Sequence, residues 1–374
     1  MFNKIKGQNG AISNLKAAIA NQRVAQAYLF HGGPGTGKFT TALGFGMALN
    51  CLAQSEYRPC GQCSSCRKFL ALDHPDLLYV FPSSNLKLSL EGEIGNPEAR
   101  KEYDEYMQLK RESPWEQYRF STNTMIRIES INWLIRRLSL SVHEARRRLC
   151  LIENADQMNT ESQNAFLKTL EEPPADTVII LTSSQPSKLL PTVVSRCQPL
   201  RFQDLAPGVM EDVLCDEFHI PREQARAAAH ISAGNIKRAI RFAQNESSEL
   251  RAQAFEILQM TSEGKDLALF RYIQALPKSF NAESAIGVLR YIEMFIGDLA
   301  LIADAPQQIV NIDKEDFLKS LREKLAGIDP AELGDRILDF TKTVEDYTRR
   351  LQGNINPRLV MINMCTHLKK LLSP

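Results

Sequence analysis

The chain has 374 residues, 44% hydrophobic and 24% charged, enough apolar material to build two or three domains without disulfide staples. A formal net charge of +1 argues against bulk electrostatic adhesion to nucleic acid, so any such contact must come from a local surface or a larger assembly. There is no charged-then-apolar leader and no run of about 18 apolar residues, so a cytoplasmic protein with no membrane span is expected.

In chain order, Tyr28-Leu29-Phe30 reads as a short buried strand, followed by Gly32-Gly33-Pro34-Gly35-Thr36-Gly37-Lys38. That loop fits the Gly-x4-Gly-Lys pattern, in which glycines let backbone N–H groups surround phosphates and the lysine neutralises their charge. Gly32, Gly35, Thr36, Gly37 and Lys38 are the candidate nucleotide contacts. The next position, which normally carries the hydroxyl that holds Mg²⁺, is Phe39. A phenyl ring cannot ligate the ion. Thr40, a further candidate, sits about 100° further round the helix, so it replaces the hydroxyl only with rearrangement. Residues 41–51 read as an apolar-rich helix.

Cys51, Cys60, Cys63 and Cys66 follow with spacing Cys-x8-Cys-x2-Cys-x2-Cys. Two-residue gaps let successive thiolates converge on one ion, and four sulfurs complete a closed tetrahedral shell, which points to structural Zn²⁺. An iron–sulfur cluster and a redox pair are the alternatives. Cys150, Cys215 and Cys365 read as small buried apolar residues.

Residues 77–81 read as a second strand. Residues 83–123, with Glu102, Asp104, Glu105, Lys110 and Arg111, read as a polar insertion, partly helical or mobile, outside the core. Ile131, Leu134, Ile135 and Leu138 form the apolar stripe of a helix. Arginines 136, 137, 146, 147 and 148 flank it, either as a solvated, ion-paired face or as a local nucleic-acid contact.

Residues 149–152 form a third strand pattern ending at Glu153-Asn154. Open parallel sheets bind ligands at that carboxyl edge. In a working P-loop ATPase an acid there helps hold the metal and a following Glu polarises water. Glu153 is therefore a candidate nucleotide-site residue, whereas Asn154 cannot take a proton. Losing such a base typically costs about 10² to 10⁴ in rate, so the pattern suggests nucleotide binding, as ATP or ADP, without efficient hydrolysis.

A capping box of Thr160 and Gln163 opens the next helix and Pro173-Pro174 stops it. Strand patterns recur over residues 178–182 and 200–202, and the alternation implies an α/β fold: a parallel five-stranded sheet with helices on both faces. Beyond Phe202 only amphipathic helices remain. Leu289, Ile292, Ile296 and Leu299 recur at helical spacing, as core or as a subunit interface. The expected domains are 1–206, carrying the cysteine module (51–66) and the insertion (83–123), then a small helical lid (207–245) and an all-α collar (246–374).

Several segments together resemble AAA+ subunits of the bacterial DNA polymerase III clamp loader. They are Gly7-Gln8, the run from Ala27 through the loop, the four cysteines, His74-Pro75-Asp76, the run from Asn164 to Pro174, and the run from Leu190 to Cys197, with Asn356-Pro357-Arg358-Leu359 near the end. In that family the motor subunits keep both catalytic motifs, and the delta-prime branch has lost them. Phe39 and Asn154 resemble the latter.

The resemblance implies that Arg196, in Ser195-Arg196-Cys197, is an arginine finger reaching a neighbouring motor's ATP. It also implies that Lys237 lies in the lid's sensor region and that Ser183 and Ser184 lie near the first sensor position. The partners implied are the gamma/tau motor subunits, the delta subunit, the sliding clamp and, through the assembly, primed DNA. A gamma/tau-like motor is the alternative. A free-standing zinc module binding DNA through Tyr57, Arg58, Arg67, Lys68 and Phe69 is a third.

Overall fold

The computed structural model describes residues 5–373 apart from 55–57, 85, 115–117, 119, 233, 244–246, 278, 307–308 and 352–354. Tyr57 and the expected lid–collar boundary at residue 245 lie outside the described residues. By its internal contacts the chain divides into two units, residues 1–209 with 234–237, and residues 210–233 with 238–374. The stretches read as lid and as collar both contribute to the second unit. No helix among the described residues is long and apolar enough to cross a membrane.

The first unit contains all five expected strands: β1 (Ala27–Gly32), β2 (Leu77–Val80), β3 (Arg148–Ile152), β4 (Thr177–Ser183) and β5 (Gln198–Phe202). They pair in parallel in the order β2-β3-β4-β1-β5. Alternation along the strands sends Tyr28, Phe30, Leu149, Leu151, Val178 and Ile180 to one core, and Leu29, Cys150, Ile152, Ile179 and Leu181 to the other. Both faces are thus apolar and need helices over them. The helices of this unit are α1 (Asn9–Ala20), α2 (Lys38–Asn50), α3 (Ser64–Leu70), α4 (Pro97–Glu112), α5 (Ile128–Leu138), α6 (Thr160–Glu171) and the short α7 (Pro191–Val194). Gln8 clasps the end of β5, its amide nitrogen donating to Gln203 O (2.7 Å) while its amide oxygen accepts from Gln203 N (3.2 Å).

Three local expectations are corrected. The segment 83–123 is partly helical, as read, but its helix α4 reaches the core: Asn96 Oδ1 accepts from Glu98 N (2.9 Å) and Ala99 N (3.3 Å), Pro97 fills the first helical position, and α4 buries Ala99, Met107 and Lys110. Tyr103 and Tyr106 also pack against the sheet. The polar composition hid this because its aromatic residues share one helical face.

Secondly, α6 is capped by Asn159, whose Oδ1 accepts from Ser162 N (2.8 Å), and not by Thr160. Gln163 instead accepts from Leu190 N (2.7 Å) and donates to Met158 O (3.1 Å), tying the helix to the segment before α7. Thirdly, Arg148 leaves the surface cluster. It is buried and donates to the carbonyls of Arg137, Leu138, Leu140 and Ser141, at and just beyond the end of α5. Arg136 does ion-pair at the surface, with Glu91 at 3.3 Å.

From residue 207 the chain is helical: α8 (Pro207–Phe218), α9 (Arg222–Ile231), α10 (Ile236–Arg241), α11 (Ser247–Ser262), α12 (Asp266–Ala275), α13 (Ala282–Leu301), α14 (Glu315–Lys324), α15 (Pro330–Leu351) and α16 (Pro357–Leu372). Leu289, Ile292, Ile296 and Leu299 are fully buried on α13, so the stripe is core within this chain. Asn356 caps α16 through Arg358 N (3.0 Å), and the Arg358 guanidinium donates to Leu276 O (2.8 Å) and Pro277 O (3.0 Å) at the end of α12. The Asn-Pro-Arg segment is therefore a helix start and a tether at once.

Candidate functional site

The glycine-rich loop joins β1 to α2 and takes backbone angles that side chains resist. Gly32, Gly35 and Gly37 have φ of +149°, +73° and +88°, and a Cβ on Gly32 would fall 2.1 Å from Phe202 O. Thr36 Oγ1 donates to Gly33 O (2.9 Å). Lys38 is buried and bends back on the loop, donating to Gly32 O (2.7 Å), Gly33 O (2.6 Å) and Ser184 Oγ (3.3 Å). Burial pulls its pKa down to about 8, opposed by the charges of Asp156, Glu153 and Asp204. Asn235 and Asp204 close over the loop: a Cβ on Gly35 would lie 1.9 Å from Asn235 Oδ1, and one on Gly33 would lie 2.2 Å from Asp204 Oδ1. Ile236 N donates to Gly35 O (3.3 Å), so the segment before Lys237 is laid against the loop.

Glu153 stands one residue past β3 and is buried. Lys110 Nζ donates to its Oε1 at 2.8 Å, and the Tyr106 hydroxyl donates to Oε2 at 3.1 Å. The Tyr79 hydroxyl makes a short bond to Oε2 as well. Lys110 Nζ also stands 3.9 Å from the centroid of the Phe39 ring, which packs against Tyr79 at 5.5 Å. Burial works to raise the Glu153 carboxyl pKa, but the charges of Lys110 and Lys237 with the hydrogen bonds from Lys110 and Tyr79 outweigh it, so the net shift is downward.

Lys237 is half-buried, with its pKa drawn down to about 8 by burial and by the neighbouring charges of Lys110 and Lys38. Asn154 adopts the left-handed conformation, φ 51° and ψ 54°, which Asn tolerates better than most residues, and its N–H donates to Thr182 Oγ1 (3.0 Å). Thr40 is half-buried on α2.

The four cysteines converge, with their sulfurs all within 4.8 Å of one another. Backbone N–H groups of Cys60, Cys63 and Cys66 point at the sulfurs of Cys51, Cys60 and Cys63 at 3.4 Å each. The amides of Gln62 and Cys63 pull the Cys60 thiol down to about 6. A set of four soft donors with amides relieving their charge fits a closed metal shell and leaves no position for substrate.

The neighbouring motif fastens this module to the sheet. His74 is buried and stacks on Phe69 of α3 (4.2 Å), and its Nδ1 accepts from Asp76 N (3.1 Å). The Asp76 carboxylate accepts from His143, Glu144 and Ala145 N–H, each at 2.8 Å. Cys150 and Cys365 are buried as expected, whereas Cys215 is half-buried.

Arg196 follows α7, with its side chain 31% exposed. Its guanidinium donates to Thr192 O (2.8 Å) and pairs with Glu171 at the end of α6. Ser195 Oγ also donates to Thr192 O (3.2 Å), while Cys197 is buried and anchors the turn. Ser183 is buried at the end of β4, and Ser184 N donates to Asp156 Oδ1 (3.1 Å).

Residues 7–206 match the family model described as DNA polymerase III, delta subunit. The chain belongs to this family. It is 29% identical over 359 residues to DNA polymerase III subunit delta' of Bacillus subtilis, covering 94% of this chain and 93% of that one. It is also 29% identical over 276 residues to subunit delta' of Pseudomonas aeruginosa, covering 71% and 72%. Subunit gamma/tau of Mycobacterium tuberculosis is 27% identical over 236 residues, 62% of this chain and 34% of that one. The fold also aligns with a DNA polymerase III gamma subunit-related protein of Thermotoga maritima at 13% identity and a TM-score of 0.41, covering 96% and 99%. The delta' relatives extend over more of the chain than gamma/tau does, and the delta' reading is favoured over the motor reading.

Within this family member, sequence reasoning missed the residues that engage Glu153. Lys110, Tyr106 and Tyr79 carried no recognisable motif, and two of them lie in the segment read as an insertion. Helical spacing was the usable signal: Tyr103, Tyr106, Met107 and Lys110 repeat at i, i+3, i+4 and i+7.

Proposed function

We propose that this chain serves as a delta-prime-type stator of the DNA polymerase III clamp loader, not an efficient ATPase by itself, that supplies Arg196 in trans to a neighbouring gamma/tau motor. The observation that carries the reading is the state of Glu153. Both its carboxylate oxygens are engaged by Lys110, Tyr79 and Tyr106, and Phe39 stands where a metal-ligating hydroxyl belongs. Among the described residues Arg196 is by contrast held by partly exposed groups, Thr192 O and the Glu171 carboxylate. An exposed pair of this kind is worth little in solution, so exchange of Glu171 for a phosphate of higher charge is energetically accessible. Fixed positive charge at the developing phosphate charge accelerates transfer by about 10³ to 10⁵.

In this reading Gly32, Gly35, Thr36, Gly37, Lys38, Thr40, Glu153 and Lys237 descend from a nucleotide site, and ATP or ADP is its natural ligand class. Cys51, Cys60, Cys63 and Cys66 hold structural Zn²⁺. The partners are the motor subunits, delta, the sliding clamp and primed DNA within the cytoplasm, with the domain division 1–206, 207–245 and 246–374.

The test is steady-state ATPase of the chain alone and mixed with motor and delta subunits, clamp and primed DNA. The expected result is negligible turnover alone, with turnover in the mixture falling about 10³-fold in Arg196→Ala. Robust Lys38-dependent turnover by the chain alone, or unchanged turnover with Arg196→Ala, overturns the reading.

A further inference from the structure

A metal-dependent phosphate loop needs two ligand positions around one divalent ion: a hydroxyl directly after the loop lysine and a carboxylate at the end of the adjoining strand. Here those positions are Phe39 and Glu153, and a single atom touches both. Lys110 Nζ is 2.8 Å from Glu153 Oε1 and 3.9 Å from the centroid of the Phe39 ring. The lysine and glutamate side chains are only 5% and 10% exposed. The other carboxylate oxygen accepts from the hydroxyls of Tyr79 and Tyr106, which lie 3.0 Å apart. Mg²⁺ requires octahedral oxygen ligands and keeps several waters. An aromatic face offers it none, whereas that face attracts an ammonium group. The residues present therefore do not fit Mg²⁺.

We propose that Lys110 is a tethered replacement for the divalent cation: its ammonium fills the metal position between Phe39 and Glu153, so the loop is closed to metal and its charge balance is internal. The substitution has a structural support that a chance surface lysine lacks. Lys110 lies one turn beyond Tyr106, and both project from the buried face of α4. The helix itself is pinned at several points. Glu102 accepts from Ser121 N (2.7 Å) and from the Ser84 hydroxyl, and the Tyr118 hydroxyl donates to Glu105 (2.6 Å). The segment that looks like an insertion in the sequence is in this view the part that delivers the cation. An ammonium carries one charge instead of two and has no open ligand position for a phosphate oxygen or a water. A phosphate at the loop is therefore bound without a metal bridge.

The proposal rests on the loop being a nucleotide-type site and is independent of Arg196, so the two readings fail separately. The experiment is titration of Mn²⁺ into the full chain, following free Mn²⁺ by electron paramagnetic resonance and thermal midpoint in parallel. Glu153→Gln is the control that subtracts all other Mn²⁺ sites. Wild type should take up no more Mn²⁺ than Glu153→Gln, and Mn²⁺ should shift its midpoint no more than that of Glu153→Gln. Lys110→Met combined with Phe39→Ser restores a free carboxylate and a hydroxyl. It should take up additional Mn²⁺, lost again when Glu153→Gln is added, and Mn²⁺ should raise its midpoint.

Lys110→Arg, which keeps the charge, should behave as wild type. If the double variant does not fold, Lys110→Gln with Phe39→Ser, the glutamine uncharged but able to hydrogen-bond Glu153, takes its place with the same expectation. Glu153-dependent Mn²⁺ uptake by wild type overturns the proposal. So does a folded Phe39→Ser variant carrying Lys110→Met or Lys110→Gln that takes up no additional Mn²⁺.

Discussion

Two places in the first unit have the residue pattern of a metal site, and the fold treats them in opposite ways. At the cysteine module four sulfurs converge within 4.8 Å, and the polar groups around them are backbone N–H donors. At the glycine-rich loop the acid intended for a metal is paired with a lysine, and an aromatic ring replaces the hydroxyl. The first arrangement offers four soft donors and no side-chain cation among them, so a bound cation would supply the charge that thiolates require. The second is neutralised from within. A donor set in sequence is therefore a metal site only if no side-chain cation has been built against it.

Removing metal should separate the two regions most sharply. A structural Zn²⁺ contributes on the order of 10 kcal/mol to folding of such modules, so a strong chelator or Cys63→Ser should unfold α3 and release the Phe69–His74 stack. Hydrogen exchange of residues 58–74 is the measurement. Unchanged protection would remove the distinction between the regions.

Disrupting the internal pair is the next largest effect. Lys110→Met leaves a buried carboxylate without its cation and should cost about 3–5 kcal/mol, read from urea unfolding. Adding Glu153→Gln should recover much of that loss, since replacing both partners removes the unpaired charge. Additive losses in the double variant would show that the pair is not coupled.

Smaller again are the pH effects, which have the same sign for the two kinds of charge at the loop, since both have lowered folded pKa values, but fall in different pH windows. Glu153 has a folded pKa below its unfolded value, so its contribution is present above the ordinary carboxylate range and is lost as pH falls through the folded value. Lys38 and Lys237 are each pulled down to about 8, against about 10.4 when unfolded. Between those values the unfolded chain binds more protons, so stability rises with pH, provided other groups are held equal. Urea midpoints at about pH 7.5 and pH 9.5 should show this rise in wild type and a smaller one in Lys38→Met. An equal rise in both would mean that Lys38 is not the group responsible.

Much of this architecture was readable residue by residue. The five strands were placed within a residue or two because β1 to β4 are short apolar runs buried almost throughout, a pattern that survives without knowledge of neighbours, while edge strand β5 is marked by Leu200 and Phe202. The loop was readable because its glycines are required by local backbone angles, and the cysteines because two-residue gaps by themselves bring sulfurs together. The cap of α6 was misplaced by one residue, since Asn159 and Thr160 are both competent caps and only the entry angle of the chain chooses between them. Arg148 looked like one more surface arginine because nothing in a run of three arginines marks the one that turns inward.

What the sequence by itself determined was the set of elements and the inventory of donors: a parallel sheet, a phosphate-type loop without its hydroxyl, an acid followed by an amide, and four converging thiols. The tertiary structure decided which donors are already engaged. Lys110 meets Glu153 across 43 positions of chain, and Arg196 meets Glu171 across 25. Contacts at such separation depend on how α4 lies against the sheet and how α6 meets the turn after α7. Local propensity and spacing fix neither, because they act over one or two turns of chain, while burial and charge pairing act between whatever surfaces packing brings together.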